Sequence, residues 1–235
     1  MVTRKTALKI RKTHRYLGLF LGIQFLFWTI SGLYFSWTNI DDIHGDQFKN
    51  LNYENISFNN LISPDSLKVS TGINKVVLRD IAGEPYYWIN NSQLYHARTA
   101  LLKEVITPNE AIQIANKHMK PDLVIDKVVR IDEAVPHHEY RERLLPAYVI
   151  SYKSDEAIKA YVSVADGKFQ TVRHRSWRWF DFLWMTHTMD YQTRDNFNTT
   201  VLRAFSLLGL ITVSSGFLLW FTSSARVQKF MKRFK

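Results

Sequence analysis

The sequence predicts an α+β domain, a helix laid on an antiparallel sheet, flanked by two transmembrane α-helices. Three observations lead there. Two uncharged apolar runs, each long enough to cross a bilayer, lie toward the two ends of the 235-residue chain. The excess of Lys and Arg, +10 in all, sits outside those runs in two short tails. Between the runs stands a nearly neutral stretch of β-branched and aromatic segments, broken by one helix with a clear capping signature.

Residues 1–15 form a basic tail carrying Arg4, Lys5, Lys9, Arg11, Lys12 and Arg15 and no acid. Residues 16–38 are the first transmembrane helix: the 25 residues between Arg15 and Asp41 are uncharged, and about 20 apolar residues suffice to span a bilayer. The run is longer than the apolar segment of a cleaved signal peptide and lacks a small-residue cleavage site, so it reads as an uncleaved anchor. The second transmembrane helix covers 198–222, built around the 22 uncharged residues between Arg203 and Arg226, with Trp220 and Phe221 where an interfacial aromatic belt falls. Residues 223–235 are a second basic tail with Arg226, Lys229, Lys232, Arg233 and Lys235. All 21 acids lie between Asp41 and Asp195, against 20 bases outside the tails. Charge placed this way is a topology signal and not a nucleic-acid one: both termini are expected in the cytoplasm and the insert outside. A mean hydropathy of -0.20 leaves no room for further spans.

Within the external domain, 39–175, Thr107-Pro108-Asn109-Glu110 is a capping box with Pro at the first helical position. Ala111, Ile112, Ala115 and Met119 follow at helical spacing, which predicts a helix over 108–119. Residues 123–131, 147–153 and 158–165 read as strands, and Asp166-Gly167 turns the chain into a further one at 168–172. Pro85-Tyr86-Tyr87-Trp88-Ile89 and Pro146-Ala147-Tyr148-Val149-Ile150 align as a partial internal copy, each preceded by a strand and followed by a second hairpin arm. Residues 176–197, crowded with Trp177, Trp179, Phe180, Phe182, Trp184 and Tyr191 behind Arg173, Arg175 and Arg178, read as an amphipathic juxtamembrane helix. The other placement runs that helix straight into the second span.

The chain has no cysteine. That excludes disulfides, iron–sulfur clusters and covalent c-type haem. No Ser-His-Asp, H-E-x-x-H, P-loop or G-x-G-x-x-G pattern is present, so hydrolase, kinase and nicotinamide chemistry are not indicated and no catalytic residue is assigned.

Thr107 to Ala115, Pro146-Ala147-Tyr148 and the run from Tyr161 to Lys168 resemble the helix and following strands of PepSY domains. His14-Arg15-Tyr16-Leu17-Gly18, Ser31-Gly32-Leu33-Tyr34 and Leu183-Trp184-Met185-Thr186-His187 resemble the PepSY-associated transmembrane helices found in the same family, and together these matches cover most of the chain. The resemblance implies a bacterial inner-membrane protein with a periplasmic α+β module, often linked to iron uptake. Some larger members, with four or more spans, are haem-containing reductases of ferric siderophores. A PepSY segment also resembles part of the propeptides of secreted metalloproteases, which implies a second reading: a non-enzymatic, membrane-tethered module that binds or regulates a periplasmic peptide, protease or uptake partner.

Of the eight histidines, two lie where an axial ligand of b-type haem projects from a helix in or near the membrane: His14 and His187. Positions 14, 18, 22, 25, 29 and 32 share one helical stripe, which carries His14, Gly18, Gly22, Thr29 and Gly32. That stripe leaves room for a flat ring or for a close neighbouring helix. His187, flanked by Met185 and Met189, needs a partner for its ring nitrogens, either haem iron or a carboxylate from Asp181 or Asp190. Nearly a bilayer thickness separates the two along the first span, so they cannot serve one haem in one chain. Each site then needs a ligand from a homodimer mate or a partner membrane subunit. The faces Gly18/Gly22/Gly32 and Ser206/Gly209/Thr212/Gly216 suit such packing. His137-His138-Glu139 reads as a solvated loop and not as a metal site, and Arg203 as a headgroup contact.

Overall fold

The computed structural model describes residues 4–54 and 56–224. The basic residues expected in the C-terminal tail, Arg226 to Lys235, lie outside the described residues. The chain divides into two compact units, one of residues up to Trp37 together with those from Asp181 onward, the other Thr38–Phe180.

The first unit is helical. Helix α1 runs Arg4–Trp37 and takes in most of the basic tail as well as the apolar run. Two helices are long and apolar enough to cross a membrane, at Leu8–Trp37 and Thr200–Phe221. Leu19 is 74% exposed, Ile23 65% and Leu210 64%, which a water-facing surface would not tolerate over so many neighbouring side chains and a bilayer would.

In the second unit, helix α2 (Ile40–His44) is capped by Asn39 and closed by Gly45, whose φ of +81° suits only glycine. Two four-stranded antiparallel meanders follow, β1–β4 (Val76–Ile81, Glu84–Ile89, Gln93–His96, Leu102–Lys103) and β5–β8 (Ile125–Ile131, Ala147–Tyr152, Lys159–Ser163, Phe169–Arg173). Pro85 lies in the second strand of one meander and Pro146 directly before the second strand of the other, so the sequence copy corresponds to a repeated sheet. Between the sheets comes α3 (Pro108–His118), with both halves of its capping box formed.

Alternation along the strands sends side chains two ways. Trp88 and Leu94 of one sheet share a core with Ala111, Ile114 and Ala115 of α3 and with Ile150, Ala160 and Val162 of the other. Tyr87, Ile89 and Tyr95 turn to the opposite face, where Leu67 covers them and Tyr87 Oη donates to Ile62 O at 2.9 Å. Val149 and Tyr161 likewise turn away from the shared core toward Tyr140. Both sheets are therefore clad on both faces, which explains why β6 is buried at nearly every position and does not alternate with solvent.

Helix α4 occupies Arg175–Thr188 and α5 Thr200–Ser223. The juxtamembrane helix expected to reach residue 197 ends nine residues earlier, and no continuous helix leads into the second apolar run. The reason is local. Met189 takes a φ of +54°, and the Asp190 carboxylate accepts hydrogen bonds from the backbone N–H groups of Gln192, Thr193 and Asn196, giving the chain a polar turn that competes with helix.

Candidate functional site

His187 sits in the last turn of α4. Carbonyls there lack intrahelical N–H partners, and α1 supplies two: Gln24 Nε2 donates to Thr186 O at 3.1 Å and Trp28 Nε1 to His187 O at 2.7 Å. Ser31 Oγ lies 2.7 Å from His187 Nδ1, and the Phe35 ring meets the imidazole at 5.7 Å. Positions 24, 28, 31 and 35 recur at helical spacing, so one stripe of α1 organises the end of α4.

A serine of a neighbouring helix holds Nδ1 of each histidine. A serine hydroxyl has one proton, and that of Ser31 reaches Phe27 O at 2.7 Å. The same hydroxyl has His187 Nδ1 at an equal 2.7 Å as a second partner, so the imidazole is anchored through Nδ1 in either tautomer. His14 repeats the arrangement. Its Nδ1 lies 2.8 Å from Ser215 Oγ and 3.2 Å from Thr212 O on α5, while the Ser215 proton reaches Thr212 O at 2.7 Å. Both imidazoles are thus anchored through Nδ1, and no hydrogen bond among the described residues uses Nε2 of either, which leaves Nε2 as the nitrogen able to hold a metal. Each is a single donor: His14 and Ser31 are about 25 Å apart along α1 at about 1.5 Å per residue, so the structure does not bring the two histidines together.

The carboxylates weighed as partners of His187 are engaged elsewhere. Asp181 pairs with Arg194, and Asp190 holds the turn after α4. The small-residue faces differ as well. A Cβ added at Gly209 would meet the Phe25 ring at 3.2 Å, and one at Gly216 would meet His14 Cε1 at 3.2 Å, so the α5 face is filled by α1 of the same chain. Around Gly18, Gly22 and Gly32 nothing among the described residues lies within 4 Å of an added Cβ. Gly216→Leu is accordingly expected to force the imidazole off Ser215 and destabilise the helix pair by about 1–3 kcal/mol, the range for overpacking. A lower melting temperature in detergent checks this.

In the other unit, Glu139 does not face solvent. Its carboxylate accepts from Lys159 Nζ, Tyr161 Oη and Arg178 Nε, each at 2.7 Å. Burial pushes its pKa up, but the three donors outweigh burial and hold it at about 2. Arg173, read from sequence as part of a headgroup-facing group, is buried at the end of β8 instead, and burial, reinforced by Arg143, lowers it to about 9. Arg203 donates to Asn198 Oδ1 at 3.4 Å and is exposed. His137 is exposed and His138 Nδ1 accepts from Tyr140 N–H at 3.1 Å.

No protein-family model, curated protein or solved structure matches this chain.

Proposed function

We propose that this chain is a two-pass inner-membrane protein of the PepSY type that passes electrons across the bilayer in iron or siderophore uptake. In this reading His14 on the cytoplasmic side and His187 on the periplasmic side would each hold a haem b. The observation that supports it most is the anchoring the two histidines share: Nδ1 held by a serine of a neighbouring helix, and Nε2 without a hydrogen bond among the described residues. A bound haem b supplies a one-electron ferric/ferrous couple. The chain's own residues orient the ligands, Ser215 and Thr212 for His14 and Ser31 for His187, while Trp28 and Phe35 limit water beside His187.

Each histidine is one ligand, so the second comes from another copy or a partner membrane subunit. The open faces at Gly18, Gly22 and Gly32 support close approach of a second helix. The basic tails support cytoplasmic termini, and the α+β unit is then the periplasmic part that meets an acceptor such as a ferric siderophore. The test is an absorption spectrum of protein purified from haem-replete bacterial membranes. A Soret band is expected, with His187→Ala and His14→Ala each removing roughly half of the haem and the double variant all of it. Colourless protein, or an unchanged spectrum in His187→Ala, ends the reading.

A further inference from the structure

A cavity of about 510 Å³ opens in the Thr38–Phe180 unit, with Arg143, Arg173, Trp177 and Phe169 in its wall. Arg173 is 8% exposed, yet among the described residues neither it nor Arg143 has a carboxylate within ion-pair distance. Arg173 donates Nε to Glu139 O at 2.8 Å and Nη1 to Thr171 Oγ1 at 2.7 Å, and its guanidinium stacks on Trp177 at 3.9 Å. Arg143 donates Nη1 to Gln170 O at 3.1 Å. No hydrogen bond among the described residues uses Nη2 of Arg173 or Nε and Nη2 of Arg143, the N–H groups that make a fork for an oxyanion.

Neighbouring acids do not neutralise this pair. Glu139 offers Arg173 its backbone carbonyl, while its carboxylate serves Lys159, Tyr161 and Arg178. Asp46, the acid in the cavity wall, bonds Lys49 Nζ at 2.7 Å. His118, also in the wall, is held below its ordinary pKa by burial and adds no charge at neutral pH. Two cations lining one half-enclosed space repel, and their burial is unfavourable until an anion arrives.

We propose that this cavity binds an organic oxyanion, its carboxylate or phosphate group held between Arg143 and Arg173 and its apolar body resting against Trp177 and Phe169. The volume decides for an organic ligand over a bare inorganic ion, since about 300–1,000 Å³ is the range of sites for small organic molecules. The site is independent of the haem reading, because it uses no residue of the helical unit.

Calorimetric titration of the full-length protein in detergent with benzoate, phenyl phosphate and the neutral isostere benzamide tests it. Binding of benzoate or phenyl phosphate without binding of benzamide is expected, the stronger of the two acids naming the group recognised. Arg143→Gln, whose side chain has one backbone bond to lose, should weaken that binding at least tenfold while leaving the melting temperature and any Soret band unchanged. Arg98→Gln, in the turn between β3 and β4, should leave binding intact. The proposal is overturned if neither acid binds, if benzamide binds equally well, or if folded Arg143→Gln binds like the wild type.

Discussion

Glu139→Ala is expected to lower the melting temperature by roughly 6–12 °C. The carboxylate joins the loop before β6 to β7 through Lys159 and Tyr161, and to α4 through Arg178. Its side chain is 12% exposed, so deletion strands three donors around a space water enters poorly. Breaking a buried pair costs about 3–5 kcal/mol. Lys159 at 38% and Arg178 at 33% exposure can regain water in part, which brings the expectation to about 3 kcal/mol; in a chain of this size each kcal/mol is about 2–4 °C. The pH dependence follows from the sign. The folded pKa of about 2 lies below the ordinary value of 4.5, so the stabilisation is fully present above about pH 4.5 and is lost as pH falls toward 2. His118, His138 and His174, held below 6.5 mainly by burial, add an earlier loss that begins as pH falls below 6.5. Thermal melts between pH 7 and 3 should therefore show a smaller loss below about pH 4.5 in Glu139→Ala than in the wild type, the remainder coming from Asp190 and Glu110, which are also held below their ordinary pKa. A variant within 2 °C of the wild type, as expected for exposed Glu133→Ala, refutes this account.

What the sequence made legible was local. A capping box needs four consecutive residues, and Thr107 to Glu110 carry it. The turn at Asp166-Gly167 needs a residue with positive φ, and Gly167 has +63°. The alignment of Pro85 with Pro146 disclosed the repeated meander because strand order follows chain order in both. What stayed hidden was every contact made by residues distant along the chain. Ser31 and Ser215 had no visible role until helices closed on them, though a hydroxyl within an apolar run was a signal that some polar neighbour must answer it. His137-His138-Glu139 looked solvated because its composition is polar, while the three donors that draw Glu139 inward lie 20 to 39 residues away. Arg173 and Arg178 were read as one group with Arg175, yet a strand end sends Arg173 inward and the following helix sends Arg178 to Glu139. Charge counting saw the tails and missed the pair of guanidinium groups, since the domain around them is neutral in sum.

Trp88→Ala should loosen both sheets at once. The repeat suggests two modules that fold separately, whereas the packing argues for one: Trp88 of β2 belongs to the same buried cluster as Ile114 of α3 and Ile150 and Val162 of the second sheet. At 5% exposure its indole fills space that no neighbour on its own sheet can refill alone. Large-to-small replacement of a core Trp costs about 3–5 kcal/mol. If the two sheets share one cooperative unfolding event, that whole loss is felt by amides throughout Thr38–Phe180. Hydrogen exchange of the full-length protein should then show protection falling by roughly two to three orders of magnitude in β1–β4 and in β5–β8 alike, at about 1.4 kcal/mol per tenfold. Loss confined to β1–β4, with β6 and β7 as protected as before, would mean that the duplicated sheets keep separate stabilities despite their common core.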